Sequence, residues 1–159
     1  MKRVSAVLGT AAVMLWAAGV LAQAKPDFSG TWTLDAEKTT AAGGAAPAGR
    51  GGGGGMTIKQ DATSFTRTAG REGAQPVVYK LDGSETQVPM GRGGAMATAK
   101  AAWEGNTIVI STTQDMQGTM VTRKAVYSME GDWLVVATTA PPRGGGDPTT
   151  TKQYYKKSM

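Results

Sequence analysis

The chain has 159 residues, 40% of them hydrophobic, and carries 17 Lys and Arg against 12 Asp and Glu, a formal net charge of +5. It has no cysteine and no histidine, which excludes disulfide scaffolds, thiol catalysis, metal sites built on Cys or His, and Ser-His-Asp hydrolysis. The basic surplus is far smaller than a nucleic-acid-binding surface needs, so we expect no nucleic acid partner.

Residues 1–24 have the features of an export signal. A basic start, Met1-Lys2-Arg3, precedes an apolar run over 4–21, and Ala22-Gln23-Ala24 has the form of a cleavage site. An uncleaved membrane anchor is the alternative, because the run is nearly long enough to span a bilayer. We expect cleavage, a single domain over 25–159 with no later membrane span, and a periplasmic or secreted protein.

The mature chain reads as an all-β domain. Thr, Val, Tyr and Ile recur in short alternating runs separated by Gly, Pro and Asp, and helical periodicity is nearly absent. This pattern predicts an antiparallel up-and-down β-barrel of about 8 to 10 strands. The ten predicted strands cover residues 28–35, 56–60, 63–69, 76–81, 85–90, 95–103, 107–113, 119–129, 133–139 and 149–156.

The connections between these strands are of two kinds. Asp82-Gly83, Glu104-Gly105 and Glu130-Gly131 are acid-glycine pairs typical of tight hairpins, and each is expected to join two antiparallel neighbours. The other connections are longer and glycine-rich, above all a flexible Gly/Ala-rich loop over 36–55. In a meander the tight turns gather at one end, which we call the closed end, and the long loops at the other, the open end. The longer connections are 36–55, 70–75, 91–94, 114–118 and 140–148.

The first strand carries a motif. Phe28, Gly30, Trp32 and Leu34 alternate with polar residues and share one face. Gly30-Thr31-Trp32 resembles the Gly-x-Trp motif that opens the first strand of lipocalins and other calycins, and we suspect a lipocalin-like family of exported bacterial proteins. The resemblance implies that the tryptophan packs across the closed end. We expect a barrel floor built from Gly30, Trp32, Trp103 and Trp133.

Several residues are candidates for a ligand site inside the barrel. Ala97 and Ala99 belong to an alternating alanine face on the sixth strand, which either leaves room for a ligand or packs closely against the sheet. Arg67 and Arg123 alternate with apolar residues, so they point either inward, where they need an anionic partner, or outward into solvent after a one-residue change of register. Fatty-acid-binding barrels use interior Arg and Tyr to hold a lipid carboxylate, which by resemblance assigns that role to Arg67, Arg123, Tyr127 and Tyr155.

The long loops contain arginines that the meander places at the open end. Arg50, Arg92 and Arg143 each precede two glycines, and Arg71 lies in the connection over 70–75. They either recruit an anionic partner or only add solubilising charge.

The leading hypothesis is an exported lipocalin-like barrel that binds a small hydrophobic or amphipathic ligand, including one with an acidic head. We expect no cofactor and no metal ion, and the sequence contains no catalytic motif. The alternative is an envelope interaction module that binds a protein or an anionic polymer through its Gly/Arg-rich loops.

Overall fold

The computed structural model describes residues 24–43, 54–90, 95–142 and 146–158. Within these ranges it contains ten strands and one short helix, all in one antiparallel meander, which confirms the predicted fold class. The strands are β1 (Gly30–Asp35), β2 (Met56–Gln60), β3 (Ser64–Ala69), β4 (Val77–Lys80), β5 (Asp82–Met90), β6 (Ala95–Glu104), β7 (Thr107–Met116), β8 (Thr119–Glu130), β9 (Trp133–Ala140) and β10 (Thr149–Lys157), and the helix is α1 (Ala36–Ala41).

The sheet curls into a nearly closed barrel. Each strand is hydrogen-bonded to the next along the chain except for β4 and β5, and β1 also pairs with β10. The two free edges, β4 and β5, lie against each other without a hydrogen-bonded ladder. β4 is only four residues long, and β5 has an irregular register between Asp82 and Glu85 and a proline, Pro89, that lacks an N–H. The barrel wall is therefore open between β4 and β5, and we call this gap the open seam.

Two of the three acid-glycine pairs form the predicted hairpins. Gly105 and Gly131 both have φ of 61° and lie in the turns that join β6 to β7 and β8 to β9, where a left-handed backbone is required. The third prediction is wrong, because Asp82 and Gly83 lie inside β5 and the strands on either side of Leu81 are not paired.

Two of the predicted long connections also differ. The loop expected over 114–118 is a two-residue turn, Gln117-Gly118, because β7 extends to Met116, three residues beyond its predicted end, whereas β8 begins at Thr119 as predicted. The region 36–55 begins with α1, whose N-cap is Asp35, a side chain that accepts a hydrogen bond from the Lys38 backbone N–H. The buried Thr39 hydroxyl accepts the Tyr154 N–H at 3.0 Å, so the helix packs against the outside of β10.

The core lies inside the barrel and follows the alternation of the strands. Side chains that face inward form one buried cluster, with Trp32, Phe65, Ile108, Tyr127 and Leu134 among its largest members. Burial of such side chains contributes about 1.5–3 kcal/mol each. In the described ranges, no helix is long and apolar enough to cross a membrane.

Candidate functional site

The closed end of the barrel is filled by aromatic rings. The Trp32 indole N–H donates to the Phe28 carbonyl at 2.9 Å, and the Phe28 ring stacks on Trp103 with 5.9 Å between ring centroids. The ammonium of Lys157 lies 5.7 Å from the centre of the Trp32 ring and that of Lys25 lies 4.9 Å from Trp103, both within cation–π range. Trp32 and Trp103 therefore share this end with Phe28.

Gly30 is part of the same arrangement, whereas Trp133 is not. A Cβ on Gly30 would lie 2.6 Å from Cε of Lys157, so the end of the lysine side chain occupies the space beside the glycine. Trp133 precedes the inward-facing Leu134 and must point outward. Its ring lies 4.7 Å from the Lys38 ammonium of α1. The structure thus places Trp133 on the outer wall and not in the barrel floor.

Aromatic packing continues into the middle of the barrel. The rings of Phe65 on β3 and Tyr127 on β8 meet edge to face with 5.0 Å between centroids, although four strands separate β3 from β8 in the sheet. This contact spans the interior. Ala97, Ala99 and Ala101 face inward and are at most 2% exposed within the same cluster, so the alanine face packs closely and does not line either cavity described below.

Arg67 brings a positive charge into this interior. It follows Phe65 on the inward face of β3, and three tyrosines from three other strands surround it: Tyr79 on β4, Tyr127 on β8 and Tyr155 on β10. Attraction to Tyr127 raises the pKa of Arg67, against the lowering effect of burial, and Tyr79 and Tyr155 add to the rise. The guanidinium therefore remains protonated at any physiological pH.

The tyrosines stay neutral beside this cation. Burial raises the pKa of Tyr127 and Tyr79, and Arg67 opposes that rise in both. Burial also raises the pKa of Tyr155 to about 12, and its hydroxyl donates to Oε1 of Gln153 at 3.1 Å. A side-chain interaction with Arg67 also lowers the pKa of Tyr79, against the larger effect of burial. The site thus offers one cation and hydroxyl groups within an otherwise apolar interior.

Arg67 lacks an anionic partner within the described ranges. The ion pairs found there join lysines to glutamates on the surface, and the buried Arg67 Nε has no hydrogen-bond partner. Arg67 is partly buried, and a partly buried cation is costly unless an anion or a full set of acceptors compensates it. This deficit is the strongest sign that a ligand completes the site.

A cavity gives access to Arg67 beside the open seam. Its volume is about 670 Å³, and Arg67, Val77 and Tyr79 line it from the barrel side. The connection between β3 and β4, which contains Arg71, forms its rim together with Pro89 of β5. Pockets for small ligands have volumes of this order.

The sequence candidates are thus only partly brought together. Arg67, Tyr127 and Tyr155 meet inside the barrel, whereas Arg123 lines a different cavity at the open end. Arg71 is exposed at the rim of the first cavity. Arg50, Arg92 and Arg143 lie outside the described residues, so their proposed role at the open end stays a prediction.

Sequence reasoning missed Tyr79, although the signal was available. The alternation of β4 puts Val77 and Tyr79 on one face. In the antiparallel pairing of β3 with β4, Val77 lies opposite Arg67, and Tyr79 lies opposite Phe65. Pairing these two predicted strands in the hairpin register would have placed the tyrosine next to the arginine. Across the parts of the chain that the structure describes, no group of three or more carboxylates is arranged to hold a metal ion.

Several solved structures with the same fold come from proteins that are named for the small molecules they bind or transport. The REP1-NXSQ fatty acid transporter matches with a TM-score of 0.57 and 12% identity, over 82% of this chain and 97% of its own. The fatty-acid-binding protein of Manduca sexta matches with a TM-score of 0.56 and 20% identity, over 82% and 99%. The zebrafish ileal bile acid-binding protein, solved with cholic acid, matches with a TM-score of 0.53 and 21% identity, over 82% and 98%.

These similarities define the fold as that of the fatty-acid-binding and calycin-like β-barrels, and at such identities they define the fold alone. No protein-family model and no curated protein sequence matches the chain. Membership of an exported bacterial family, inferred from Gly30 and Trp32, stays a prediction.

Proposed function

We propose that this protein binds a small amphipathic molecule, with its acidic head against Arg67 and its apolar body in the cavity beside β3, β4 and β5. The observation that carries the proposal is the protonated Arg67, which faces three tyrosines and has no carboxylate partner in the described ranges. A carboxylate or similar anion in the cavity would accept from the Arg67 guanidinium and from tyrosine hydroxyls. We further propose that the mature chain acts as a carrier outside the cytoplasm, as residues 1–24 suggest.

The comparisons support a binding role. Three of the similar structures are named as a fatty acid transporter, a fatty-acid-binding protein and a bile acid-binding protein. Their names describe small molecules with an apolar body and an acidic head, which is the chemistry that Arg67 and its tyrosines would recognise. The cavity volume of about 670 Å³ is compatible with such a ligand. We therefore favour binding over catalysis.

The test compares two ligands that differ only in charge. Decanoate and decanol have the same chain, so lipid-stripped wild-type protein should bind decanoate more tightly, as measured by titration calorimetry. The substitution Arg67→Met keeps an unbranched apolar stem and removes the cation. We expect it to weaken decanoate binding roughly 10- to 100-fold, the equivalent of one charge-assisted hydrogen-bonding group, and to leave decanol binding nearly unchanged.

The matched control is Arg71→Met, which removes an exposed arginine from the rim of the same cavity. It should bind decanoate like the wild type at moderate salt, because an exposed charge is screened. Thermal unfolding would establish that both variants fold. A folded Arg67→Met protein that kept its full preference for decanoate over decanol would contradict the proposal.

A further inference from the structure

A second cavity lies at the open end, where the hairpin of β7 and β8 meets the segment after β9. Its volume is about 870 Å³. Met116, Met120 and Val121 line it from the hairpin, and Pro141 and Pro142 form the opposite side. It shares no lining residue with the cavity at Arg67. The two cavities are therefore separate in this structure.

The methionines of this cavity are unusually exposed for an apolar lining. Met120 is 66% exposed and Met116 is 38% exposed, although both belong to a well-formed hairpin. Methionine is flexible and polarizable, so it adapts to ligands of irregular shape. The adjacent prolines have fixed φ and lose little entropy when a ligand packs against them. The lining thus suits a flexible apolar chain.

Arg123 adds a positive charge to this mainly apolar cavity. It lies on the same face of β8 as Val121, and within the described ranges it belongs to no ion pair. The one carboxylate in the lining, Asp115, accepts the Gly118 backbone N–H at 2.6 Å and so closes the turn of the hairpin. Its other oxygen does not pair with Arg123. A positive guanidinium beside an apolar wall is complementary to an alkyl chain with an anionic end.

We infer that this cavity is a second binding site, for one alkyl anion whose head pairs with Arg123 and whose chain packs against Met116, Met120 and the two prolines. The inference does not depend on ligand binding at Arg67, because the lining residues differ. It predicts that one protein molecule binds two equivalents of decanoate, which calorimetry measures as a stoichiometry.

The substitution Arg123→Gln should abolish the binding of the second decanoate or weaken it about tenfold. The affinity for the first decanoate should stay unchanged. Lys124→Gln is the matched control. Lys124 is the next residue on β8 and faces outward to Glu104, with 3.8 Å between Nζ and Oε2. It should leave both equivalents intact, which separates a site at Arg123 from a general loss of positive charge.

The NMR signals of the methionine methyl groups provide a second measurement of binding in this cavity. In protein with ¹³C-labelled methionine methyl groups, the Met116 and Met120 signals should shift with decanoate in both the wild type and Arg67→Met. The signal of Met56, which is 2% exposed in the core, should stay nearly constant. In Arg123→Gln these shifts should be absent or should need about tenfold more decanoate.

The outcomes for the two sites are distinguishable. A single equivalent that Arg67→Met removes and Arg123→Gln leaves intact would overturn the second site and keep the proposed function. A single equivalent with the opposite dependence would support the Arg123 site and overturn the assignment to Arg67. No binding of decanoate by wild-type protein would overturn both.

Discussion

Gly30 shows how a single residue fits the closed end of the barrel. Its φ is +142°, well beyond the small left-handed region that other residues tolerate, and the Lys157 side chain lies where a Cβ would point. The end of a lysine side chain moves easily, so the steric conflict is minor. The backbone conformation is what requires glycine.

We expect Gly30→Ala to lower the free energy of unfolding by about 1–3 kcal/mol, the cost of such a strained backbone. Urea denaturation would measure it. The control is Gly105→Ala, where φ is 61° and a Cβ would have open space, so it should cost less. Removing the lysine side chain as well, in Gly30→Ala with Lys157→Ala, should not restore stability. Equal costs for the two glycine substitutions would contradict this explanation.

The site at Arg67 was predictable from the sequence in part. The alternation of side chains places Arg67 on the same face of β3 as Phe65, and Tyr127 on the same face of β8 as Arg123. Both of these strand faces point into the barrel. Alternation does not reveal how far along the barrel each residue lies. That depends on the stagger between strands, which brings Arg67 to Tyr127 and leaves Arg123 near the tip of its hairpin.

At the scale of elements, the turn between β2 and β3 depends on one carboxylate. Asp61 Oδ1 accepts the backbone N–H groups of Thr63 and Ser64 at 2.8 and 2.7 Å, and Oδ2 accepts the Ser64 hydroxyl at 2.6 Å. The Ser64 hydroxyl, with the Thr63 N–H next, lowers the pKa of Asp61 from 3.8 to about 2. All of these bonds favour the ionised form.

This pKa predicts an acid-dependent loss of stability. The folded state binds the Asp61 proton only near pH 2, whereas the unfolded chain binds it near pH 4, so the contribution is present above about pH 4 and is lost as the pH falls towards 2. Asp61→Asn cannot titrate, and its unfolding free energy should fall less over this window. Chemical denaturation at several pH values between 5 and 2 would measure the difference. Parallel curves for the two proteins would contradict the assignment.

The strands were predictable because period-two alternation is a strong local signal. The helix α1 was not, since six residues give too little helical periodicity. Its one local sign is Asp35, an N-cap residue followed by Glu37 in the first turn. The unpaired edges of β4 and β5 were also missed, because Asp82-Gly83 has the composition of a hairpin turn, and only the closure of the whole barrel determines that these strands separate.

At the scale of the whole molecule, the barrel has two unlike ends. Aromatic packing from Phe28 to Tyr127 fills the interior from the closed end to the middle. Both cavities adjoin connections at the open end, and an arginine lines each. The filled end supplies stability, whereas the open end has the uncompensated charge and the space that a ligand would use.

The central claim is that the acidic head of an amphipathic ligand lies against Arg67 and its tyrosines. Isotope-edited NMR of labelled protein with unlabelled decanoate tests it most directly. We expect nuclear Overhauser contacts from the methylene next to the carboxylate to the ring protons of Tyr79 and Tyr127, and their loss in Arg67→Met. Contacts confined to exposed outer-wall residues, with none to these tyrosines, would contradict it.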